Sequence, residues 1–248
     1  MRTAPPGPRE VHVWTLWIPR IAGKAAGRTG ILDIGETARA DGFQDSAART
    51  RYLVSHVALR VLLGGYLGLA PGDVEFVREP CGMPDCEEPH GRPAIAGRLR
   101  PHFSLSHAGD AAVVAVARSP VGADVESARL LPDGLGGAVR RLHPEERRAV
   151  ATLSPALRER AALGCWVRKE AYLKGIGTGL PGGVGRHHVG LPAELAPAWA
   201  PPGPVGWRVV DVPAPEGYQA AVAVSGKAAS ADADGARLAV RIAPLLLP

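Results

Sequence analysis

The chain has 248 residues, 46% hydrophobic and 21% charged, the balance of a globular protein with enough length for one large cored domain or two small ones. Its 29 Lys and Arg against 24 Asp and Glu give a net +5, suited to an acidic or phosphorylated partner but too diffuse for a nucleic-acid binder. Three cysteines, Cys81, Cys86 and Cys165, exclude a disulfide framework, and no run reaches membrane-span or signal-peptide length, so a cytoplasmic protein is expected.

In chain order, VHVWTLWI (11–18) alternates and is rich in β-formers, which predicts a first strand. Residues 36–69 carry helical periodicity, with Leu53, Val57, Leu59, Leu62 and Leu63 as core contacts and Arg49, Arg51 and Arg60 interspersed. VEFVREP predicts a short strand, CGMPDCEEPHGRPAIAGRLRP a turn-rich loop, and HFSLSH and AAVVAVA two strands around the turn AGD. VGADVE follows the connection RSP. Two helical stretches come next, the second with Ser154 as N-cap and Pro155 at its first position, and then the strands WRVVDVP and YQAAVAVS around APEG. Each half therefore reads as a strand, helices, then antiparallel strands. The tail from about Ala228 offers no interpretable feature. Cys81, Cys86 and His90 have a C-x4-C-x3-H spacing that could supply three zinc ligands, but no fourth is evident.

The stretch WVRKEAYLKGIGTGL (166–180) poses the sharper question. At about 100° per residue, Glu170 falls between Leu163 and Trp166, and Lys174 beside Val167. A helix with large apolar side chains nearly all round is a buried helix, yet this one carries Lys169, Glu170 and Lys174. On most helices such an i,i+4 pair is a surface ion pair worth about 0.3–0.5 kcal/mol; here no polar face is left to solvate it. In GADVES, residues i and i+2 share a strand face, so Asp124 and Glu126 project side by side. Adjacent carboxylates repel, and they are either a solvated edge or the ligands of a hard divalent cation. FSLSHAGD adds Ser104 and Ser106 on one strand face, with His107 near the strand end.

SLSH, VGADVE and WVRKEAYLKGIGTGL, in that order, resemble the 4′-phosphopantetheinyl transferase superfamily, specifically its larger, tandem-domain (Sfp-like) type. RYLVSHVALR, HGRPAI, HPEER and GYQAAVAV extend the resemblance over about residues 36–224. It implies an α/β (α+β) fold of two tandem similar subdomains, 1–119 and 120–248, related by pseudo-twofold symmetry with the active site in the cleft between them. It implies transfer of 4′-phosphopantetheine from coenzyme A to a serine of an apo acyl or peptidyl carrier protein, with release of 3′,5′-ADP. Asp124, Glu126 and Glu170 would hold Mg²⁺ or Mn²⁺; Glu170, Lys174 and Asp124 would be catalytic, Glu170 also as general base. Arg51, Arg92, Ser106, His107, Lys169 and Lys174 would bind coenzyme A, with Lys169 on phosphate or the carrier; Arg39 and Arg49 are weaker candidates. A monomer, a carrier with an acidic recognition helix and a role in secondary metabolism (polyketide or nonribosomal peptide carriers) are expected. Arg92 stands where the family often has lysine, and Ser104 and Ala108 where it often has Asn and Ser. The alternative is a non-catalytic adaptor of the same fold that binds coenzyme A or the carrier.

Overall fold

A computed structural model describes residues 3–81, 91–97, 101–131, 133–199, 203–226 and 238–247. The chain runs through β1 (Glu10–Trp17), α1 (Ile18–Ala26), α2 (Ile34–Asp41), α3 (Ser46–Leu67), β2 (Phe76–Arg78), β3 (Pro93–Ile95), β4 (His102–Ala108) and β5 (Ala111–Ala117). It continues through β6 (Val121–Glu126), α4 (Gly134–Arg141), α5 (Pro144–Thr152), α6 (Pro155–Ile176), β7 (Trp207–Val212), β8 (Gln219–Ser225) and β9 (Ala239–Pro244). This is the mixed α/β fold expected from the sequence. Among the described residues no helix is long and apolar enough to cross a membrane.

Strand β5 explains the layering. All seven of its residues are buried, as they must be when small and β-branched side chains point both ways into a core. Ala112, Val114 and Val116 pack with Leu16 against Val54, Val57, Ala58 and Leu62 of α3. Ala111, Val113, Ala115 and Ala117 join Val11 and Val13 against Val121, Ala123, Val125, Val222 and Val224. The first sheet, ordered β4-β5-β1-β9, is therefore covered by α3 on one face and by the second sheet, ordered β6-β8-β7, on the other. The far face of the second sheet, through Ala221 and Ala223, receives Leu163, Val167 and Ala171 of α6. Each fully buried valine of these cores contributes about 1.5–3 kcal/mol of transfer free energy.

Both long helices have 22 residues and defined ends. The Asp45 carboxylate caps α3 by accepting from the Ala47 and Ala48 N–H groups, and Gly68 ends it in the left-handed conformation. Helix α6 starts at Pro155 behind Ser154, whose hydroxyl makes no capping bond, and Gly177 at φ 85° stops it. Two helices, α4 and α5, occupy the stretch before α6; His143 and Glu146 form a capping box between them.

The first sheet draws strands from both sides of residue 119. The link Arg118–Pro120 joins β5 of one sheet to β6 of the other, and β9, from the tail that offers no sequence signal, lies in the first sheet. β9 pairs in parallel with β1, Val11 opposite Val240, and Leu245 and Leu247 enter the α3 core. Residues 239–247 thus belong with the N-terminal layer.

One contact fixes where α6 lies. A Cβ on Gly122 of β6 would stand 2.0 Å from the Ala171 carbonyl oxygen and 2.4 Å from the Gly175 nitrogen, so helix and strand backbones touch where no side chain fits. Gly122→Ala is expected to force α6 off β6 and to cost about 1–3 kcal/mol of stability, read as a lower urea midpoint.

Candidate active site

The strand period does place Gly122, Asp124 and Glu126 on the face toward α6, while Ala123 and Val125 enter the core between the sheets. Glu170 and Lys174, one turn apart on α6, come down on that face. Ligand oxygens of Asp124, Glu126 and Glu170 all lie within 4.8 Å of one another. Asp124 is fully buried. Its Oδ1 accepts from Lys174 Nζ at 2.5 Å and from Ser106 Oγ at 2.8 Å, and Lys174 Nζ also donates to Ser106 Oγ at 2.8 Å. Its Oδ2 is buried with no hydrogen-bond partner.

Three carboxyls and one ammonium leave the group short of positive charge. Burial pushes the Glu126 carboxyl up to about 8, with Asp124 and then Glu170 adding repulsion. Burial and Asp124 push Glu170 up to about 7, against the pull of Lys174, the Trp166 indole and Arg141. Burial acts to lower the Lys174 ammonium, but Asp124, Glu170 and Glu126 together raise it, so the proton stays on the lysine. An all-oxygen donor set, an orphaned buried Oδ2 and two carboxyls held above their usual range fit a hard divalent cation.

Beside this set lies a cavity of about 990 Å³, walled by α2, α3, the paired strands β2 and β3, β4 and the segment after α6. Lys174 belongs to both, lining the cavity while bonding Asp124. Arg92 lines it too, donating from Nε to Glu79 at 2.6 Å and from Nη1 to the Gly175 carbonyl at 2.7 Å. His107 opens onto it, and partial burial, then His56, Lys174 and Arg51, hold its imidazole below the usual value. Arg39 lines the cavity, whereas Arg49 is paired with Asp41 on the surface. Arg51 is not among the lining residues; its Nε donates to Asp110 at 3.1 Å. Ser104 ties β4 to β6 by accepting from the Ala123 N–H at 3.0 Å.

Lys169 is the residue the structure moves. It was expected on phosphate or the carrier, but its side chain has no exposure and is paired with equally buried Glu146 at 2.7 Å. It also donates to the His187 carbonyl, while Glu146 accepts from the N–H groups of His143, Val189 and Gly190. A step of 100° along α6 turns Lys169 toward α5 as Glu170 turns toward β6. Cys81 is buried as a free thiol, and Cys86 and His90 of the zinc spacing lie outside the described residues.

Sequence reasoning passed over His56, Tyr52, Glu36 and Thr178, all of which line the cavity. Tyr52, His56 and Arg60 fall at i, i+4 and i+8 of α3, a polar stripe on a helix read for its apolar content. Thr178 follows the helix stop, and its Oγ1 is buried without a partner.

Two outcomes test these assignments. In the fold Glu126 and Glu170 hold their protons to about 8 and about 7, whereas in the unfolded chain they ionise near 4.5. The native state binds more protons between those limits, so their contribution to stability is complete at low pH and is lost as pH rises toward about 8. In EDTA the melting temperature should therefore fall from pH 5 to pH 8, and Mg²⁺ should raise it more at pH 8; an unchanged response in Glu126→Gln would remove the basis for this. Separately, Lys169→Met leaves Glu146 as an unpaired buried charge and should cost about 3–5 kcal/mol. Adding Glu146→Leu should recover much of that loss in the urea midpoint.

Comparison with known proteins agrees with the arrangement. Residues 120–223, from β6 into β8, match the model of the 4′-phosphopantetheinyl transferase superfamily. The chain is 31% identical over 218 residues to the 4′-phosphopantetheinyl transferase HetI of Nostoc, covering 88% of each chain. It is 28% identical over 159 residues to a putative 4′-phosphopantetheinyl transferase of Synechocystis, covering 64% of this chain and 62% of that one. Against the 4′-phosphopantetheinyl transferase psf-1 of Bacillus pumilus it is 31% identical over 144 residues, covering 56% and 58%. With that identity sustained across nearly the whole length of one relative, the chain belongs to the 4′-phosphopantetheinyl transferase superfamily.

Proposed function

We propose that this protein transfers 4′-phosphopantetheine from coenzyme A to a serine hydroxyl of apo acyl or peptidyl carrier proteins. The serine oxygen forms the new bond to the phosphorus that carries pantetheine, the pyrophosphate P–O bond breaks, and 3′,5′-ADP leaves. The observation that carries the reading is the convergence of Asp124, Glu126 and Glu170, with Lys174 shared between them and a cavity of about 990 Å³. The names of the three relatives support the same activity.

Asp124, Glu126 and Glu170 would hold Mg²⁺, with Mn²⁺ as a substitute. The bound ion supplies charge compensation and a template for phosphate oxygens. Lys174, an ammonium kept charged by its carboxylate neighbours, stabilises the charge that develops toward the leaving ADP. Glu170, with its carboxyl held up to about 7, is suited to accept the serine proton. Arg92 and His107 from the cavity wall, with Ser106 and Arg51 nearby, would receive the nucleotide phosphates; Arg51 would have to exchange Asp110 for phosphate. The two halves, each laying a 22-residue helix over a sheet, are read as tandem related units with the site in the cleft between them. A monomer follows because one chain then holds both walls.

The carrier is read as one with an acidic recognition helix, matching the net +5 and making association salt-sensitive. Carriers of secondary metabolism in the cytoplasm are the proposed physiological partners.

The test is the intact mass of an apo carrier incubated with this protein, coenzyme A and Mg²⁺, with and without EDTA. One phosphopantetheine should be gained only with metal, and Glu170→Gln should lower turnover by about 10²–10⁴-fold while coenzyme A still binds. Unmodified carriers combined with tight coenzyme A binding would instead make the protein an adaptor.

A further inference from the structure

The cavity holds a built group that the proposed chemistry does not use. His56 on α3 donates from Nδ1 to Glu36 Oε1 at 2.8 Å, because a carboxylate can only accept. Its ring stacks on Tyr52, with centroids 4.0 Å apart and planes 27° from parallel. Glu36 is itself fixed: it is buried, and its Oε2 accepts from Arg60 Nε at 2.5 Å and from the Asp33 N–H at 3.0 Å. Arg60 is fully buried and reaches Asp33 Oδ2 at 2.6 Å and the Val74 carbonyl at 2.9 Å. Glu36 therefore does not depend on His56 for a cation or for its position.

Two partners thus hold the imidazole on separate sides, and Nε2 is its only nitrogen left for a ligand. Arg39 of α2 and His107 of β4 line the same cavity, and His107 feels the charge of His56. A carboxylate at Nδ1 fixes which nitrogen carries that proton and the direction in which Nε2 points. Nε2 is thereby left to meet an incoming phosphate oxygen, with Glu36 and Tyr52 holding the ring in place for that contact.

We propose that His56 contacts phosphate in this cavity and discriminates nucleotides that carry a 3′-phosphate from those that do not. The assignment rests on the coenzyme A reading of the cavity. It concerns the second phosphate locus because the pyrophosphate must reach Lys174 and the acidic set, where the bond breaks, whereas His56, Arg39 and Tyr52 come from the first-half wall.

The experiment is calorimetric binding of 3′,5′-ADP and of 5′-AMP to the full-length protein, its His56→Phe variant, which keeps a ring against Tyr52, and its His56→Gln variant. The wild type should prefer 3′,5′-ADP, and both variants should lose about tenfold of that preference through weaker 3′,5′-ADP binding, with 5′-AMP little changed. A merely structural His56 would weaken both nucleotides together and leave the ratio intact, which overturns the proposal. Wild type that binds neither nucleotide would overturn the coenzyme A reading itself. Wild type that prefers 3′,5′-ADP, with variants that do so equally, would overturn only the role of His56. Should one variant fail to melt cooperatively, the ratio in the other decides the outcome.

Discussion

The backbone contact between α6 and β6 is the constraint on which the site depends. Two carboxylates on a strand and a Glu–Lys pair on a helix become one cluster only if the axes come closer than side chains usually permit. Gly122 supplies that clearance on the strand, and Gly175 does the same on the helix, where a Cβ would stand 3.2 Å from the Gly122 nitrogen. Interiors packed to crystal density have little slack to absorb an added methyl group there. The core between the sheets holds β6 from behind, so the position of Asp124 is set from both faces.

Once assembled, the cluster is electrostatically incomplete. Lys174 satisfies one oxygen of Asp124, Ser106 supports the same oxygen, and the other is left buried and bare. Native proteins rarely leave such an atom unpaired without a use for it. The raised carboxyls of Glu126 and Glu170 express the same deficit as retained protons. A site that must gather phosphate charge benefits from this arrangement, because the groups that would bind a cation are already fixed in place.

Lys169 and Glu170 are adjacent in sequence and serve opposite ends. Lys169 closes a fully buried pair with Glu146, and the segment 187–190 folds over that pair through its backbone groups. Helix α6 is thereby fastened to α5 on one side while it presents Glu170 and Lys174 to β6 on the other. A buried ion pair is not a strong source of stability, but an unpaired one is costly, so it makes alternative packings of α6 unfavourable.

Much of this was written locally. The i,i+2 spacing of Asp124 and Glu126 and the i,i+4 spacing of Glu170 and Lys174 put each pair on one face whatever the rest of the chain does. The valine and alanine pattern of β5 and β6 dictated buried strands, and Pro155 and Gly177 bounded α6. Other features depended on partners distant in the chain. β9 is a half-exposed edge strand whose partner lies some 230 residues away, so its sequence had no clean alternation to show. Lys169 could be assigned to Glu146 only after α5 was docked on α6, and His56 became a cavity residue only when Glu36 and Tyr52 turned its ring. The sequence by itself determined which faces the charged residues share, because helix and strand periods are properties of the local backbone; only the tertiary structure decided which of those faces meet, because that choice rests on packing between segments far apart in the chain.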